Sequence, residues 1–543
     1  MPSFDRQVLR RKVSEIFVIR ASGHSLDALR EYPNWELTNH RLQQFLEEGV
    51  GGVILYGGSI EEITNRCAQL RMWAGKPIFL CADVEEGVGQ RFQGGTWLIP
   101  PMALGRIYLK EPEYAISLAE HYGALIGYES VICGLNWVLA PVCDVNSNPL
   151  NPVINMRAWS DNPQTVADLA CAFHRGLTSQ GVLGCAKHFP GHGDTKVDSH
   201  LELPVLDNDL SRLAEIELPP FQALIQQGVS SIMSAHLILN RVDCNYPVTF
   251  SKRILTDLLR KKMCFEGMIV TDALVMRAIS KTFSSGSAAV MAFEAGADLI
   301  LMPQNPSEAI DAIVESLISG RLPISRLEDS LQRRQLALAQ LNSEKPATSC
   351  EKNAFENQKV SFFAEKLIDI SIESRNTLII DNYKSLINLI RVDNLYSNPI
   401  LNHSSPALVI PEQYGFRNVI THPSGISPWQ NNVKEPLALE KFSDSAFLLQ
   451  LFIRGNPFQG DEPLQEPWIS VIMQLQRSKR LAGLILYGDS FLWNDLQNVL
   501  EPTVPFVFSP GQMPLAQEKA LQCLLDSKKM KVDISPSQWE FIN

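Results

Sequence analysis

The densest group of side chains able to do chemistry lies in the segment AKHFPGHGDTKVDSHLELP, residues 186–204. Imidazole and carboxylate groups recur within it, at His188, His192, Asp194, Asp198 and His200. Pro190 and the two glycines that follow it disfavour a helix, because proline lacks a backbone N–H and glycine loses much conformational freedom in a helix. We therefore predict a loop whose polar side chains face a functional site.

Two uses of this loop conflict with its sequence. His188 and His192 have the four-residue spacing of metal ligands, but that spacing serves a metal on a helical face, which the Pro-Gly sequence disfavours. A phosphate-binding loop would end in Gly-Lys-Ser/Thr, whereas this one carries Asp194 and Asp198, whose negative charge repels phosphate. A metal site and a phosphate site are therefore the weaker interpretations.

The third interpretation is a catalytic pair formed by Asp198 and His200. Residues two apart in an extended loop project to the same side, so the carboxylate can accept a hydrogen bond from the imidazole. Such a bond fixes the tautomer of the ring and favours its charged form. The other ring nitrogen is then available to act as an acid or a base.

Polar residues also stand at the ends of apolar runs elsewhere in the chain. They are Arg20, Asp83, Asp144, Lys187 with His188, His236 and Asp272. If the runs are parallel strands of one barrel, their carboxyl ends meet at one rim, where the active sites of such barrels lie. Asp272 ends the run GMIVTDA, and an aspartate in so apolar a strand is a candidate nucleophile.

Two arginines follow neighbouring runs: Arg91 in the loop after Asp83, and Arg157 in the segment NMRAWSDNP. Together with Lys187 and His188 they can bind sugar hydroxyls through charge-assisted hydrogen bonds. A carboxylate nucleophile with a separate proton donor is the working pair of a retaining glycosidase, with histidine here in place of the second carboxylate. The residues thus favour glycoside chemistry.

Eight apolar runs could place these side chains. They span residues 15–20, 51–57, 77–83, 135–144, 182–189, 231–237, 267–273 and 298–303. Several are continuous and β-branched, as in parallel strands covered on both faces, and amphipathic segments such as NHRLQQFLEEG separate them. We predict an α/β fold, with a TIM-like (β/α)8 barrel over residues 1–342.

A smaller open α/β sheet domain is predicted for residues 373–543, after a linker and connecting helix at residues 343–372. Its predicted strands are TLIID, PALVIPE, AFLLQLFIR, LAGLILYGD and VPFVFS. The segments WISVIMQLQRSKR and PLAQEKALQCLL are predicted to be helices. No dense group of His, Asp or Cys occurs in this part of the sequence, so we expect a stabilising role for it.

Composition narrows the possible partners. The chain has 543 residues and a net charge of −11, which argues against nucleic acid and anionic membranes. No apolar run is long enough for a membrane span, and the N-terminal residues lack the pattern of a secretion signal, so we expect a cytoplasmic protein. A small neutral oligosaccharide is the expected partner. The sequence does not determine the oligomeric state, and a monomer is our working expectation.

The segment KHFPGHGDTKVDSH resembles the signature of bacterial β-N-acetylglucosaminidases (β-hexosaminidases) of glycoside hydrolase family 3. The run around Asp272, the stretch from Asp83 to Arg91 and the stretch around Arg157 also resemble that family, in the same order, across about residues 10–340. The stretch after Asp83 departs from the family pattern, because its glycine pair is interrupted and one arginine is absent.

The resemblance implies a retaining, exo-acting β-N-acetylglucosaminidase that needs no metal or organic cofactor. It assigns catalysis to Asp272, His200 and Asp198, and substrate binding to Asp83, Arg91, Arg157, Lys187 and His188. Peptidoglycan or chitin fragments are the implied substrates. A glycoside phosphorylase, a β-glucosidase or β-xylosidase, and a sugar-binding protein without catalysis stay open as alternatives.

Overall fold

The structure of the chain, a computed structural model, describes residues 5–343, 354–380, 385–393, 400–423, 429, 436–455 and 466–525. The chain divides into two compact units, residues 1–360 with 455–464, and residues 361–454 with 465–543. Within the described residues, no helix is long and apolar enough to cross a membrane.

The first unit alternates short buried strands with helices. Its strands are β1 Phe17–Ser22, β2 Gly52–Tyr56, β3 Phe79–Ala82, β4 Trp137–Val138, β5 Cys185–Phe189, β6 Val205–Leu206, β7 Ser231–Ser234, β8 Ile238–Leu239, β9 Met268–Thr271 and β10 Ile300–Leu301. Its helices are α1 Arg6–Ser14, α2 Asn39–Glu48, α3 Ile60–Ala74, α4 Pro101–Tyr108, α5 Pro112–Ile132, α6 Pro163–Thr178, α7 Leu210–Arg212, α8 Leu218–Gln226, α9 Arg277–Ser280, α10 Ser285–Ala295, α11 Pro306–Ile318 and α12 Ile324–Ser343. The unit also contains two π-helices, Leu213–Glu217 and Arg253–Lys262, and short 3₁₀-helices at Asp27–Leu29, Val88–Gln90, Asn155–Arg157 and Val248–Phe250.

Eight of these strands close into a ring over the described residues 5–343. One parallel sheet has the order β10-β1-β2-β3-β4, and a second has the order β5-β7-β9. Parallel bridges from Trp137 to Leu183 and from Val270 to Leu299 join the two sheets at both edges. The predicted (β/α)8 barrel is therefore confirmed, and β6 pairs with β8 outside it.

The pairing register shows which side chains face the barrel interior. Trp137 on β4 donates from Nε1 to the hydroxyl of Ser231 on β7, 3.0 Å away, across the intervening β5. The register pairs Trp137 with Cys81, and Ser231 with both Cys185 and Met268. Since side chains alternate along a strand, every second residue from these positions also faces inward. Asp83, Lys187 and Asp272 are therefore inward-facing residues at the carboxyl ends of their strands.

The helices begin at the positions that local chemistry favours. Ser59 and Glu62 form a reciprocal capping box at the start of α3. Asn162 accepts two backbone N–H groups at the start of α6, where Pro163 takes the first helical position. Helices α5 and α6 approach so closely that a Cβ on Gly176 would lie 1.8 Å from the carbonyl oxygen of Glu120. Glycine at that position therefore sets the spacing of these two helices.

The second unit is an open sheet. Its described strands are β11 Glu373–Arg375, β12 Leu386–Arg391, β13 Arg417–Thr421, β14 Ala446–Ile453, β15 Leu481–Gly488 and β16 Phe506–Ser509, and its described helices are α13 Ala354–Ser371, α14 Pro406–Gln413, α15 Trp468–Arg477, α16 Ser490–Gln497 and α17 Pro514–Leu525. The order is β13-β12-β14-β15-β16, all parallel, with antiparallel β11 beside β16. This is a doubly wound order, whose ligand crevice lies between the carboxyl ends of β12 and β14.

That crevice is occupied by the protein's own ion pairs. Arg391, at the end of β12, is 1% exposed and donates from Nε and Nη2 to Glu466 at 2.8 and 2.9 Å. Its Nη1 donates to the carbonyl of Phe452 on β14 and to Asp393. The guanidinium thus ties the two strands together at the point where related folds bind a ligand.

Three predicted strands of this unit are confirmed, those in AFLLQLFIR, LAGLILYGD and VPFVFS. The prediction of a strand for PALVIPE is wrong, since this segment is helix α14. Pro406 takes the first position of that helix, a start signal that outweighs the short apolar run. The segment TLIID also forms no strand over its described residues 377–380, and β12 and β13 were not predicted. Most of the predicted linker, residues 344–353, lies outside the described residues.

Asp298 connects the last two barrel strands with the helices around them. Its buried carboxylate accepts hydrogen bonds from Arg260 at 2.6 Å, Arg326 at 3.0 Å and Arg333 at 3.0 Å. The backbone N–H of Ile269 on β9 donates to it as well, at 3.0 Å. These arginines outweigh the cost of burial and lower the pKa of Asp298.

We expect Asp298→Ala to lower the free energy of unfolding by about 3–5 kcal/mol, because three arginines would lose their shared carboxylate. Urea denaturation followed by circular dichroism measures this loss. Glu294→Ala is the matched control, since its pair with Arg321 is about half exposed and should add little stability. Equal denaturation midpoints for the two variants would contradict the proposed importance of the Asp298 cluster.

Candidate active site

Asp272 follows β9 and is partly exposed at the open end of the barrel. The backbone N–H of Ala273 donates to its Oδ1 at 2.7 Å. Burial alone would raise its pKa, but the side chains of three histidines outweigh that effect and lower it to about 2. They are His236, His188 and His200. The carboxylate is therefore ionised at neutral pH.

Asp198 and His200 form the predicted hydrogen-bonded pair. The backbone N–H of His200 donates to Oδ1 of Asp198 at 2.8 Å, and its ring Nδ1 lies 2.9 Å from the same oxygen. The Asp198 carboxylate is buried, whereas the side chain of His200 is 18% exposed. The carboxylate thus holds the ring through Nδ1, and Nε2 is the nitrogen directed away from Asp198.

The loop that carries this pair has no helix, as predicted. Gly191 has φ +136°, and a Cβ there would lie 2.7 Å from the side chain of Glu217. Gly193 is so close to the preceding loop that a Cβ would lie 1.7 Å from the carbonyl oxygen of Val145. Both positions therefore require glycine for the path that the loop follows.

An asparagine-rich segment after β4 binds the backbone of this loop. Asn151 donates from Nδ2 to the carbonyl of His192 at 2.9 Å, and Asn148 donates to the carbonyl of Asp194 at 3.4 Å. Sequence reasoning missed this support. Four asparagines between residues 146 and 155 were the available signal, because asparagine side chains commonly hydrogen-bond to nearby backbone.

Asp144 orients His188. Its Oδ2 lies 2.7 Å from Nδ1 of His188, and its Oδ1 accepts the backbone N–H groups of His188 and His192 at 3.2 and 2.7 Å. His188 can therefore present Nε2 to the barrel mouth. The ring of His192 is instead fully enclosed, and burial lowers its pKa to about 4, so it is neutral.

His188 and His192 do not form a metal site with their neighbours. Across the part of the chain that the structure describes, no three His, Cys, Asp or Glu side chains are arranged to hold one metal ion. The Nδ1 atom of His192 lies 2.9 Å from the hydroxyl of Thr195. Although His188 and His192 are four residues apart in the sequence, their rings therefore have different hydrogen-bond partners, Asp144 and Thr195.

A second group of charges faces the mouth from β3 and β5. Lys187 donates from Nζ to Oδ1 of Asp83 at 2.7 Å and lies 2.5 Å from Oε1 of Glu85. Arg157 binds both oxygens of Glu85, each at 2.8 Å. Burial opposes ionisation of both carboxylates, yet these cations lower the pKa of Asp83 and hold that of Glu85 well below its usual range. We call Asp83, Glu85, Arg157 and Lys187 the charge cluster.

Arg91 and Tyr56 extend the charge cluster toward the rim. Arg91 donates from Nε to the backbone carbonyl of Asp83 at 2.9 Å. The hydroxyl of Tyr56, at the end of β2, donates to Oδ2 of Asp83 at 2.5 Å. Neither Glu85 nor Tyr56 was predicted as a site residue, because their partners come from other strands and depend on the barrel register.

His236 supports the position next to Asp272. Its Nδ1 lies 2.7 Å from the hydroxyl of Thr249, and its Nε2 lies 3.1 Å from the carbonyl of Ala273. Burial lowers the pKa of this histidine. His236 is one of the polar residues predicted at strand ends. It contacts the backbone next to the Asp272 carboxylate and so holds the segment after β9 in place.

The barrel places Asp272 and the charge cluster on opposite sides of its mouth. The eight strands follow each other around the ring, and β3 and β9 are separated by three strands in each direction. Asp83 follows β3 and Asp272 follows β9. A ligand across the mouth would therefore meet the ionised Asp272 with His200 at one end and the charge cluster at the other. This arrangement fits nucleophilic attack with proton transfer on a small polar ligand.

Both units resemble known domains. The sequence profile of the glycosyl hydrolase family 3 N-terminal domain matches residues 8–336, and that of the bacterial glycosyl hydrolase family 3 C-terminal domain matches residues 379–526. A beta-hexosaminidase of Nitrosomonas eutropha is 35% identical over 272 residues, which cover 49% of this chain and 77% of the relative.

Solved structures are similar over nearly the whole chain. A glycoside hydrolase family 3 beta-N-acetylglucosaminidase from Paenibacillus matches with a TM-score of 0.76 and 26% identity, over 95% of this chain and 96% of the other. A beta-glucoside phosphorylase matches with a TM-score of 0.73, over 95% of this chain and 92% of the other. Its 21% identity shows a shared fold alone.

Glu85→Gln tests the charge cluster through pH. The pKa of Glu85 is lower in the fold than in the unfolded chain, so its ionised form stabilises the fold above about pH 4.3, and this contribution is lost as the pH falls through the folded-state pKa. We expect the substitution to destabilise the protein at pH 7 by about 3–5 kcal/mol, and this difference to shrink below about pH 4.

Urea denaturation of both proteins at several pH values measures this difference in stability. Glu120→Gln is the control, because its pair with Arg175 is nearly half exposed. A difference between Glu85→Gln and the unsubstituted protein that is independent of pH would contradict an ionised Glu85.

Proposed function

The chain belongs to glycosyl hydrolase family 3, and from this premise we propose that it removes terminal β-linked GlcNAc with retention of configuration. It is a glycoside hydrolase of the β-N-acetylhexosaminidase type. The proposal rests above all on one observation. An ionised Asp272 lies across the barrel mouth from the charge cluster, and His200 is one of the side chains that lower its pKa. Retention, exo action and the residue roles below are parts of this proposal.

Asp272 is the proposed nucleophile. Its low pKa keeps the carboxylate charged at neutral pH, and its place at an inward-facing strand end gives it access to a sugar in the mouth. Attack on C1 breaks the glycosidic bond and forms a covalent glycosyl-enzyme. Water then hydrolyses this ester, and two inversions at C1 give overall retention.

His200 is the proposed acid and base, with Asp198 as its positioning residue. In the first step the imidazolium donates a proton to the departing oxygen, and in the second step the neutral imidazole accepts a proton from water. The hydrogen bond between Nδ1 and Asp198 holds the ring in place and fixes which nitrogen faces the site. Both steps need Nε2, the nitrogen directed away from Asp198.

The proposed sugar contacts are Asp83, Arg91, Arg157, Lys187 and His188. Lys187 already binds two carboxylates, so one of its three N–H groups is left for a sugar hydroxyl. Both oxygens of Asp83 accept one hydrogen bond each within the protein and can accept another from the sugar. Arg157 donates three of its five N–H groups to Glu85 and to the carbonyl of Val153, so it can hold Glu85 and still donate to a sugar hydroxyl.

Peptidoglycan or chitin fragments in the cytoplasm are the proposed substrates, because they present terminal β-linked GlcNAc. A glycoside phosphorylase is the second candidate, since an imidazole acid/base does not repel phosphate as a carboxylate would. Release of GlcNAc 1-phosphate in phosphate buffer would identify that reaction. Release of free GlcNAc at the same rate with and without phosphate supports hydrolysis.

The nucleophile is tested by trapping. A 5-fluoro derivative of GlcNAc fluoride should label the protein covalently, because fluorine slows hydrolysis of the glycosyl-enzyme more than its formation from a good leaving group. We expect mass spectrometry to place the label on Asp272, and Asp272→Ala to remain unlabelled. Asp168→Ala, on α6, is the control and should be labelled normally. A label that persists on Asp272→Ala would exclude this residue as the nucleophile.

The proton donor is tested by leaving groups. His200→Ala should lower kcat/KM for a GlcNAc disaccharide by about 10²–10⁴-fold, since the departing sugar needs protonation. The first step on a 4-nitrophenyl glycoside should be slowed much less, because nitrophenolate leaves without a proton. His121→Ala, on the outer helix α5, serves as the control. If His200→Ala reduced the first-step rates of both substrates equally, His200 would not be the acid.

A further inference from the structure

The loop after β1 carries an aromatic group that the proposed mechanism does not use. The guanidinium carbon of Arg20 lies 4.2 Å from the ring centre of Tyr56, 4.7 Å from that of Tyr32 and 5.3 Å from that of Trp35. Tyr32 and Trp35 stack on each other with ring centres 5.8 Å apart. We call Arg20, Tyr32, Trp35 and Tyr56 the rim cluster.

The aromatic faces hold Arg20 in place. The arginine is 8% exposed, and the carboxylate of buried Glu36 lies 3.5 Å from Nη2, a longer distance than a direct hydrogen bond. Its Nε has no hydrogen-bond partner among the described residues. A guanidinium between ring faces is attracted by their negative potential, so the cluster is a closely packed unit.

The rim cluster is continuous with the charge cluster. Tyr56 donates to Asp83, and Arg91, which binds the backbone of Asp83, lies 5.7 Å from the Tyr56 ring centre. In the barrel register Arg20 pairs with Ile54 on β2, and Ile54 pairs with the inward-facing Cys81. Arg20 and Tyr56 therefore also face inward. They border Asp83 on the side of β1 and β2.

The role of the rim cluster follows from the orientation of the bound sugar. That orientation rests on the proposed function. With C1 beside Asp272, the opposite ring carbon, C4, points across the mouth toward Asp83. A further sugar attached at O4 would extend beyond Asp83. The inward-facing side chains of Tyr56 and Arg20 border that space, and the rings of Tyr32 and Trp35 pack against the guanidinium of Arg20.

We infer that the rim cluster closes the site beyond O4 of the bound GlcNAc and thereby restricts the enzyme to unsubstituted, non-reducing ends. Exo action would then depend on a steric element provided by the β1 loop. A clash that excludes sugars substituted at O4 gives this selectivity without any additional contact with a sugar whose 4-hydroxyl is free. Tyr32, which is 42% exposed, and Trp35 are the specificity-determining residues of this inference.

The test compares two substrates, 4-nitrophenyl β-N-acetylglucosaminide and its 4-O-methyl ether. Tyr32→Ala/Trp35→Ala removes the two outer rings, so that Arg20 can move toward solvent. We expect the protein without substitutions to have a much higher kcat/KM for the glycoside with a free 4-hydroxyl than for its 4-O-methyl ether. The double variant should reduce the ratio of these two kcat/KM values by about tenfold or more, because the clash with the methyl group is relieved. Tyr32→Phe keeps the ring and should keep the ratio.

Three outcomes would contradict the inference. One is a double variant that folds with the original Tm and keeps the original ratio. Another is a lower Tm with both rates reduced in proportion, which would show that the cluster only stabilises the β1 loop. If the unsubstituted protein hydrolyses neither substrate, the proposed function itself is wrong, and the role of the rim cluster is wrong with it.

Discussion

The ionised carboxylate of Asp272 at an inward-facing strand end is the feature on which the rest of the site depends. A charge that is only partly exposed to water is costly unless its surroundings compensate it, and here the side chains of three histidines do so. Two of these histidines, His200 and His188, are also the proposed proton donor and a proposed sugar contact. The proposed nucleophile is therefore stabilised in its ionised form by the same part of the site that holds the proposed acid.

Two further buried carboxylates fix the remaining groups. Glu85 binds Lys187 and Arg157, and Asp144 orients His188. In the proposed mechanism neither carboxylate needs to contact the sugar, because each holds a side chain that is proposed to do so. Charges held in place by such networks need little rearrangement during a reaction, which is how preorganised sites stabilise a transition state. The barrel supplies the rigidity, since these residues stand on or next to its strands.

The sequence predicts those parts of this site that depend on local order. Eight apolar runs predict the barrel, and Asp198 with His200 are recognisable as a pair because only one residue separates them. The partners of Glu85 and Asp144 are about 44–102 residues away, so only the register brings them together. In the second unit, Pro406 turned an apparently strand-like run into helix α14. Propensity alone could not predict this outcome, because a short apolar run fits both structures.

The most direct test of the central claim is a crystal structure of Asp272→Asn with a β-linked GlcNAc glycoside bound. We expect C1 of the sugar beside residue 272, the glycosidic oxygen facing His200, and the 4-hydroxyl within hydrogen-bonding distance of Asp83. A sugar bound with C1 beside Asp83, or outside the barrel mouth, would contradict the roles assigned to both sides of the site.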